Sequence, residues 1–144
     1  MKDQNFKNHA RFVPGFHFVM SALILLVLAL AIINMIGVWG NPNFLIAGVT
    51  PVLIALTLAL AFFFIRSFAV KVQDRAIRAE ENLRHYVRNG KLIDHRLTMG
   101  QVIALRFASD DEYDELANRA ITENMKPSDI KKAILTWRAD HHRV

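Results

Sequence analysis

Residues 12–65 read FVPGFHFVMSALILLVLALAIINMIGVWGNPNFLIAGVTPVLIALTLALAFFFI, 54 consecutive positions without an Asp, Glu, Lys or Arg. All 18 basic and 13 acidic residues of the 144-residue chain lie at or before Arg11 or at or after Arg66. A hydrophobic content of 53% would by itself suit a soluble domain, but no soluble core requires charge to be excluded over such a length. A bilayer does, because about 20 apolar residues cross its roughly 30 Å hydrocarbon layer as a helix. The run divides into two transmembrane helices, 15–38 and 44–65, around a turn at 39–43, Trp39-Gly40-Asn41-Pro42-Asn43. Gly, Asn and Pro end one helix and start the next. The first run exceeds the roughly 7–15 apolar residues of a signal peptide, and no small-residue cleavage site precedes the second span, so it is expected to stay uncut.

Few polar groups interrupt the spans. His17, between Phe16 and Phe18, reads as a residue at headgroup level rather than a haem ligand, which wants a buried partner on a facing helix. Asn34 reads as an interhelical hydrogen-bonding or interfacial residue. Pro51 has no amide proton, so a kink is expected there, with Thr50 or the partner helix satisfying the freed carbonyl. Two such apolar helices enclose no pore.

The net charge of +5 is unevenly spread: residues 1–11 carry +2, residues 66–96 carry +4 and residues 97–144 carry −1. Basic flanks around an uncharged turn place both termini in the cytoplasm and the turn outside. Residues 1–14 then form a cytoplasmic interfacial segment, lying on the inner leaflet or folding back on the cytoplasmic helices. Lys7, Arg11, Arg66, Lys71, Arg75 and Arg78 are assigned to contact with the lipid surface, where each basic group gains about 1 kcal/mol from anionic lipid. The basic charge flanks the membrane and not the folded part, so nucleic acid is excluded as a partner.

No helix breaker separates Arg66 from Asn89, and the second span is expected to run on as a juxtamembrane helix, 66–90, ending at Asn89-Gly90. Ile65, Ala69, Val72, Ala76, Ala79, Leu83 and Tyr86 alternate spacings of four and three, the seam of a heptad repeat. Asp74 with Arg78, Glu80 with Arg84 and Glu81 with His85 are expected as acid-to-base pairs four residues apart. The seam has two possible occupants, the same helix of another copy or the C-terminal helices of its own chain. Three alanines bury little area, which favours the second.

Residues 91–144 form a C-terminal helical module of three short helices. Thr98 and Gln101 make a capping box opening an almost wholly apolar helix, Met99 to Ala108, expected at the centre. Ser109 and Glu112 make another, with Asp110, Asp111 and Glu112 in the first turn and Tyr113, Leu116, Ala117, Ala120 and Ile121 on one face. A third helix starts at Pro127 and presents Ile130, Ala133, Ile134 and Trp137 inward. About 50 residues without a disulfide need a further surface to pack on. The fold class is thus all-α: a two-helix transmembrane hairpin whose second helix extends into the cytoplasm and packs with a three-helix module.

The opening Lys2-Asp3-Gln4-Asn5-Phe6-Lys7-Asn8-His9-Ala10-Arg11-Phe12-Val13-Pro14, with Asp74-Arg75-Ala76, Arg96-Leu97-Thr98, Ile103 to Asp110, Ile130 to Ile134 and Trp137-Arg138-Ala139-Asp140, resembles a family of small bacterial membrane proteins known only as a domain of unknown function. The resemblance spans nearly the whole chain and implies a multi-pass protein of the bacterial inner membrane. It brings no activity, cofactor or catalytic residue with it.

Without cysteine, thiolate nucleophiles, iron–sulfur clusters and Cys-type zinc sites are excluded, and the six glycines form no phosphate-cradling loop. No catalytic residue and no cofactor is assigned. Asp140, His141 and His142 are the weak candidates for a metal, with Asp94, His95 and His85 as additions; adjacent histidines on a helix point about 100° apart and suit one ion poorly. Arg96, Arg106 and Arg138 are expected in ion pairs with Asp94, Asp110, Asp111 or Asp140. The leading function is therefore a non-enzymatic membrane anchor, adaptor or accessory subunit, its cytoplasmic helices binding a protein partner or a second copy. The alternative is a small metal- or anion-dependent membrane enzyme using the Asp, His and Arg residues of the module.

Overall fold

The computed structural model describes residues 4–9 and 12–140. It is all-α, with five helices among the described residues: α1 (Ser21–Gly37), α2 (Thr50–Asn89), α3 (Met99–Leu105), α4 (Asp110–Thr122) and α5 (Pro127–Ala133). Two compact units are present, one within Phe12–Ala69, the other made of residues 4–9 and the chain from Val70 onward.

In the first unit two long apolar helices pack together. Each opens on a π-helical stretch, Gly15–Met20 ahead of α1 and Leu45–Val49 ahead of α2. Gly40 takes a φ of +80° between them, a conformation that suits glycine because a β-carbon would clash. Trp39 and Phe44 meet edge to face, ring centroids 5.0 Å apart. Gly48 lies so close to Val38 that an added β-carbon would stand 3.0 Å from its Cγ2, the close approach that small residues permit between membrane helices. At the other end Phe16 stacks on Phe62 at 4.3 Å. The His17 ring turns back on the chain, with Nδ1 accepting from the Val13 N–H at 3.0 Å.

Pro51 has no N–H to give the Ala47 carbonyl four residues back. The Asn34 side-chain amide reaches across from α1 and donates to that carbonyl at 2.6 Å, while the Thr50 hydroxyl donates to Leu45 O at 3.2 Å. Asn34 and Pro51 are therefore energetically coupled. Asn34→Leu is expected to weaken the hairpin by about 1 kcal/mol, within the range of interhelical hydrogen bonds in membranes, and by clearly less once Pro51→Ala restores a backbone donor. A double-mutant cycle on steric trapping or on thermal unfolding in detergent measures this; equal losses in both backgrounds would refute the coupling.

The second unit is built around α3. Val102, Ala104 and Leu105 are fully buried, as expected of a helix apolar nearly all round. The Thr98–Gln101 capping box forms, with Thr98 N–H donating to Gln101 Oε1 at 2.9 Å and Gln101 N–H donating to Thr98 Oγ1 at 3.3 Å. The Gln101 amide also donates to the carbonyls of Ala120 and Met125, both at 3.0 Å, and so finishes the C-terminal end of α4. At α4's other end the Glu112 carboxylate accepts from the Ser109 N–H at 3.3 Å.

Two helices stop earlier than their apolar pattern suggests. α3 ends at Leu105 and not at Ala108, and α5 at Ala133, with Ile134 extended at φ −66° and ψ 123°. Both ends are diverted into one antiparallel bridge, Ala108 with Trp137. Arg138 N–H donates to Phe107 O at 2.7 Å and Ser109 N–H to Thr136 O at 3.1 Å. The bridge brings the Phe107 and Trp137 rings to 5.1 Å, and this contact outweighs the last helical turn of each segment.

Candidate functional site

The face of α2 that meets the module carries Glu81, Arg84 and Arg88, and Glu81 and Ile77, four residues before it, are each 5% exposed. Ile77, Glu81, Arg84 and Arg88 follow one another at spacings of four, three and four, a stripe down one side of the helix. Arg84 is the hub. Its Nε donates to Asp110 Oδ1 at 2.8 Å, one terminal nitrogen to the Ala108 carbonyl at 2.8 Å and the other to Glu81 Oε2 at 3.1 Å. Its guanidinium also lies 5.0 Å from the Tyr113 ring centre. Arg88 adds a contact of 3.8 Å to Asp114. The planar guanidinium suits this task, since one group bridges three acceptors.

Arg84, Arg106 and Arg138 surround a cavity of about 360 Å³ that also touches Glu81 and Asp140. Arg106 is 5% exposed along its side chain and pairs with Asp140 at 3.1 Å; Arg138 approaches Glu81 at 3.7 Å. Burial pushes the Glu81 carboxyl above the usual carboxylate range, and the attraction of Arg84 offsets this only in part. The Asp110 carboxyl is held low, chiefly by its hydrogen bond from Arg84. Glu112, besides capping α4, accepts from the N–H groups of Leu135 at 2.9 Å and Thr136 at 3.1 Å. Burial works against its charge, but these donors prevail and hold it low. The segment after α5 is thereby fastened to the start of α4.

A groove of about 480 Å³ lies beside this network, lined in part by His85, Asn89, Asp114 and Tyr113. His85 Nδ1 is 2.7 Å from Lys91 O, and its Nε2 lies 3.0 Å from the Asn89 amide and 3.3 Å from Asp114. Burial raises the Tyr113 phenol above its ordinary value. The groups of the groove hold one another and the loop after α2 in place.

Residues 4–9 belong to this unit. Gln4 and Asp140 exchange hydrogen bonds: Asp140 N–H donates to Gln4 Oε1 at 2.8 Å, and the Gln4 amide donates to Asp140 O at 3.4 Å. The His9 ring lies 5.9 Å from both Phe107 and Trp137. Its Nδ1 donates to Phe6 O at 2.7 Å, leaving Nε2 to accept from Lys131 at 3.2 Å. Of the two arrangements open to this segment, the structure has it folded back on the helices.

The heptad seam is not where the chain packs on itself. Val72, Leu83 and Tyr86 are 68%, 63% and 55% exposed, Ala76 and Ala79 are exposed and Ala69 is half-buried. The module sits on the Glu81–Arg84–Arg88 side, roughly 140° around the helix from the seam at 100° per residue. Two of the expected pairs four residues apart, Glu80 with Arg84 and Glu81 with His85, are redirected. Arg84 turns to Glu81 and Asp110, and His85 to Lys91 and Asp114. Neither Asp74 with Arg78 nor Glu80 with Arg84 forms an ion pair among the described residues. For Arg84 and His85, bonds to Asp110 and Asp114 across the unit replace the expected contacts along the helix.

Arg96 pairs with Asp94 at 2.7 Å and Arg106 with Asp140 at 3.1 Å, as expected, while Arg138 takes Glu81, a partner the sequence did not suggest. Of the metal candidates, Asp140 is held by Arg106, and His141 and His142 lie outside the described residues. No group of three or more His, Asp or Glu side chains able to hold a metal occurs among the described residues. Of the basic groups assigned to lipid, Lys7 sits in an exposed turn, Lys71 and Arg75 are exposed, Arg66 and Arg78 are half-buried, and Arg11 lies outside the described residues. Sequence reasoning missed the stripe through Ile77, Glu81, Arg84 and Arg88. Its spacing is as regular as the seam's, but a search for apolar repeats passes over charged residues.

These elements define an all-α protein in which two long apolar helices are followed by a small helical module closed by ion pairs. Over its full length, residues 1–144, the chain matches DUF6526, a family of unknown function, and it belongs to that family. No curated protein and no solved structure matches it.

Proposed function

We propose that this protein is a non-enzymatic adaptor or accessory subunit anchored in the bacterial inner membrane, with 15–38 and 44–65 as the crossings, 39–43 outside and both termini in the cytoplasm. The bareness of its two apolar helices supports this reading most directly. Both are long and apolar enough to cross a membrane, with mean hydropathies of 2.8 and 2.4, yet only 6% and 11% of their most apolar stretches are buried. The core helix of a soluble protein hides its side chains; here Leu25, Ile33, Ile46 and Phe63 are 64–75% exposed. Such a surface is stable against lipid and costly in water. The docking of residues 4–9 on the module supports an even number of crossings between them. Basic residues at both ends of the uncharged run support the cytoplasmic side. The ion pairs that Arg84, Arg106 and Arg138 make with Asp110, Asp140 and Glu81 support a structural role for these charges.

Because the chain has no cysteine, single replacements report topology cleanly. Asn41→Cys is expected to react with a membrane-impermeant maleimide on intact spheroplasts. Asn118→Cys, exposed on α4, is expected to react only after permeabilisation. The opposite pattern would invert the orientation, and release of the protein by alkaline carbonate would end the anchoring proposal.

A further inference from the structure

We infer that the exposed heptad face of α2 is a dimer seam, occupied by a second copy of this chain running parallel to the first, with Arg75 of each copy paired to Glu80 of the other. The inference deepens the anchored-adaptor reading and rests on it for the shared orientation of the two copies. Four observations carry it. Val72, Ala76, Ala79, Leu83 and Tyr86 keep the repeat of a two-stranded coil, and Val72, Leu83 and Tyr86 are each more than half exposed. The chain's own module is fastened to another side of the same helix by Glu81, Arg84 and Arg88, so among the described residues no element of the module occupies the seam.

The third observation is charge. In a parallel coil, the residue just before one core position faces, on the partner, the residue five further along. With Ala76 and Ala79 as core positions, that pair is Arg75 and Glu80, opposite in sign and repeated twice by symmetry. In an antiparallel coil each edge meets its own kind, and Arg75 would face Phe68, Arg75 or Asn82, none of them acidic. The fourth is availability: Arg75 and Glu80 are both exposed, and neither forms an ion pair among the described residues. Arg84, the partner Glu80 would otherwise take, is committed to Glu81 and Asp110. The alanines keep the two helices close and the contact modest. The dimer therefore depends on confinement of both copies to one surface, which raises their effective concentration.

Disulfide trapping in native membranes tests this on the full-length chain. Ala76→Cys and Leu83→Cys, oxidised mildly, are expected to give a product of twice the chain mass, whereas Glu115→Cys, exposed on α4, gives none. In the Leu83→Cys background, Arg75→Glu or Glu80→Arg is expected to lower the yield about fivefold, as two weakened ion pairs imply, and the two together to restore it. Equal trapping at 83 and 115, a product of another mass showing a different occupant, or failure of the double swap to restore the yield would overturn the proposal. Carbonate extraction of the same samples separates it from the anchoring reading. Pelleted but untrapped protein refutes the dimer alone, and trapped but extractable protein refutes the anchor alone.

Discussion

Arg84→Met is expected to destabilise the module by about 3 kcal/mol, the lower part of the range for removing one partner of a buried ion pair. The loss is large because Glu81 stays behind, 5% exposed, its charge deprived of the nearest guanidinium. Arg138 at 3.7 Å remains as a second cation and holds the cost at the lower end. Asp110 loses its Nε contact and the Ala108 carbonyl its donor, so the start of α4 loosens together with α2. Adding Glu81→Gln removes the stranded charge, and the double variant is expected to recover at least 1 kcal/mol of the loss. Chemical unfolding in detergent, followed by hydrogen exchange at α4 amides, measures both. Additive losses would show that Glu81 and Arg84 do not act as a pair.

Phe107→Ala is expected to cost about 3–5 kcal/mol, as for other fully buried phenylalanines. Phe107 is 0% exposed and meets Trp137 at 5.1 Å, His9 at 5.9 Å and the Arg106 guanidinium at 4.5 Å. The cavity therefore removes support from three sides, including the wall on which residues 4–9 rest. Phe107→Leu keeps most of the volume and is expected to lose roughly a third as much. Limited proteolysis near residue 9 should accelerate in the alanine variant well before the module unfolds. Unchanged cleavage there would mean that Gln4 and Asp140 hold the segment unaided.

Features that depend on near neighbours were legible in the sequence. Both capping boxes follow from a Ser or Thr and an acceptor three residues later, and the two apolar helices from the absence of charge between Arg11 and Arg66. Asn34 and Pro51 were each recognisable, but their coupling was not, because the turn geometry decides which carbonyl Asn34 reaches. The seam was visible as a period and its occupant was not. The period records that a face is apolar, while the choice of packing face was made by Arg84 finding Asp110, 26 residues away. The early ends of α3 and α5 had no local sign, since Ala108 and Trp137 meet only once both helices are in place. For the same reason the site was read as separate charged residues and not as one network around Glu81.

The exchange of hydrogen bonds between Gln4 and Asp140 joins residues 136 positions apart. On a growing chain the first partner is made long before the second, and both apolar helices must be synthesised in the interval. Residues 4–9 therefore lack their partners in the module while those helices are placed, and Gln4 completes its bonds only when Asp140 has been added. Completion of the module thus reports that everything between the two residues has already been made, which orders assembly in time with no outside timekeeper.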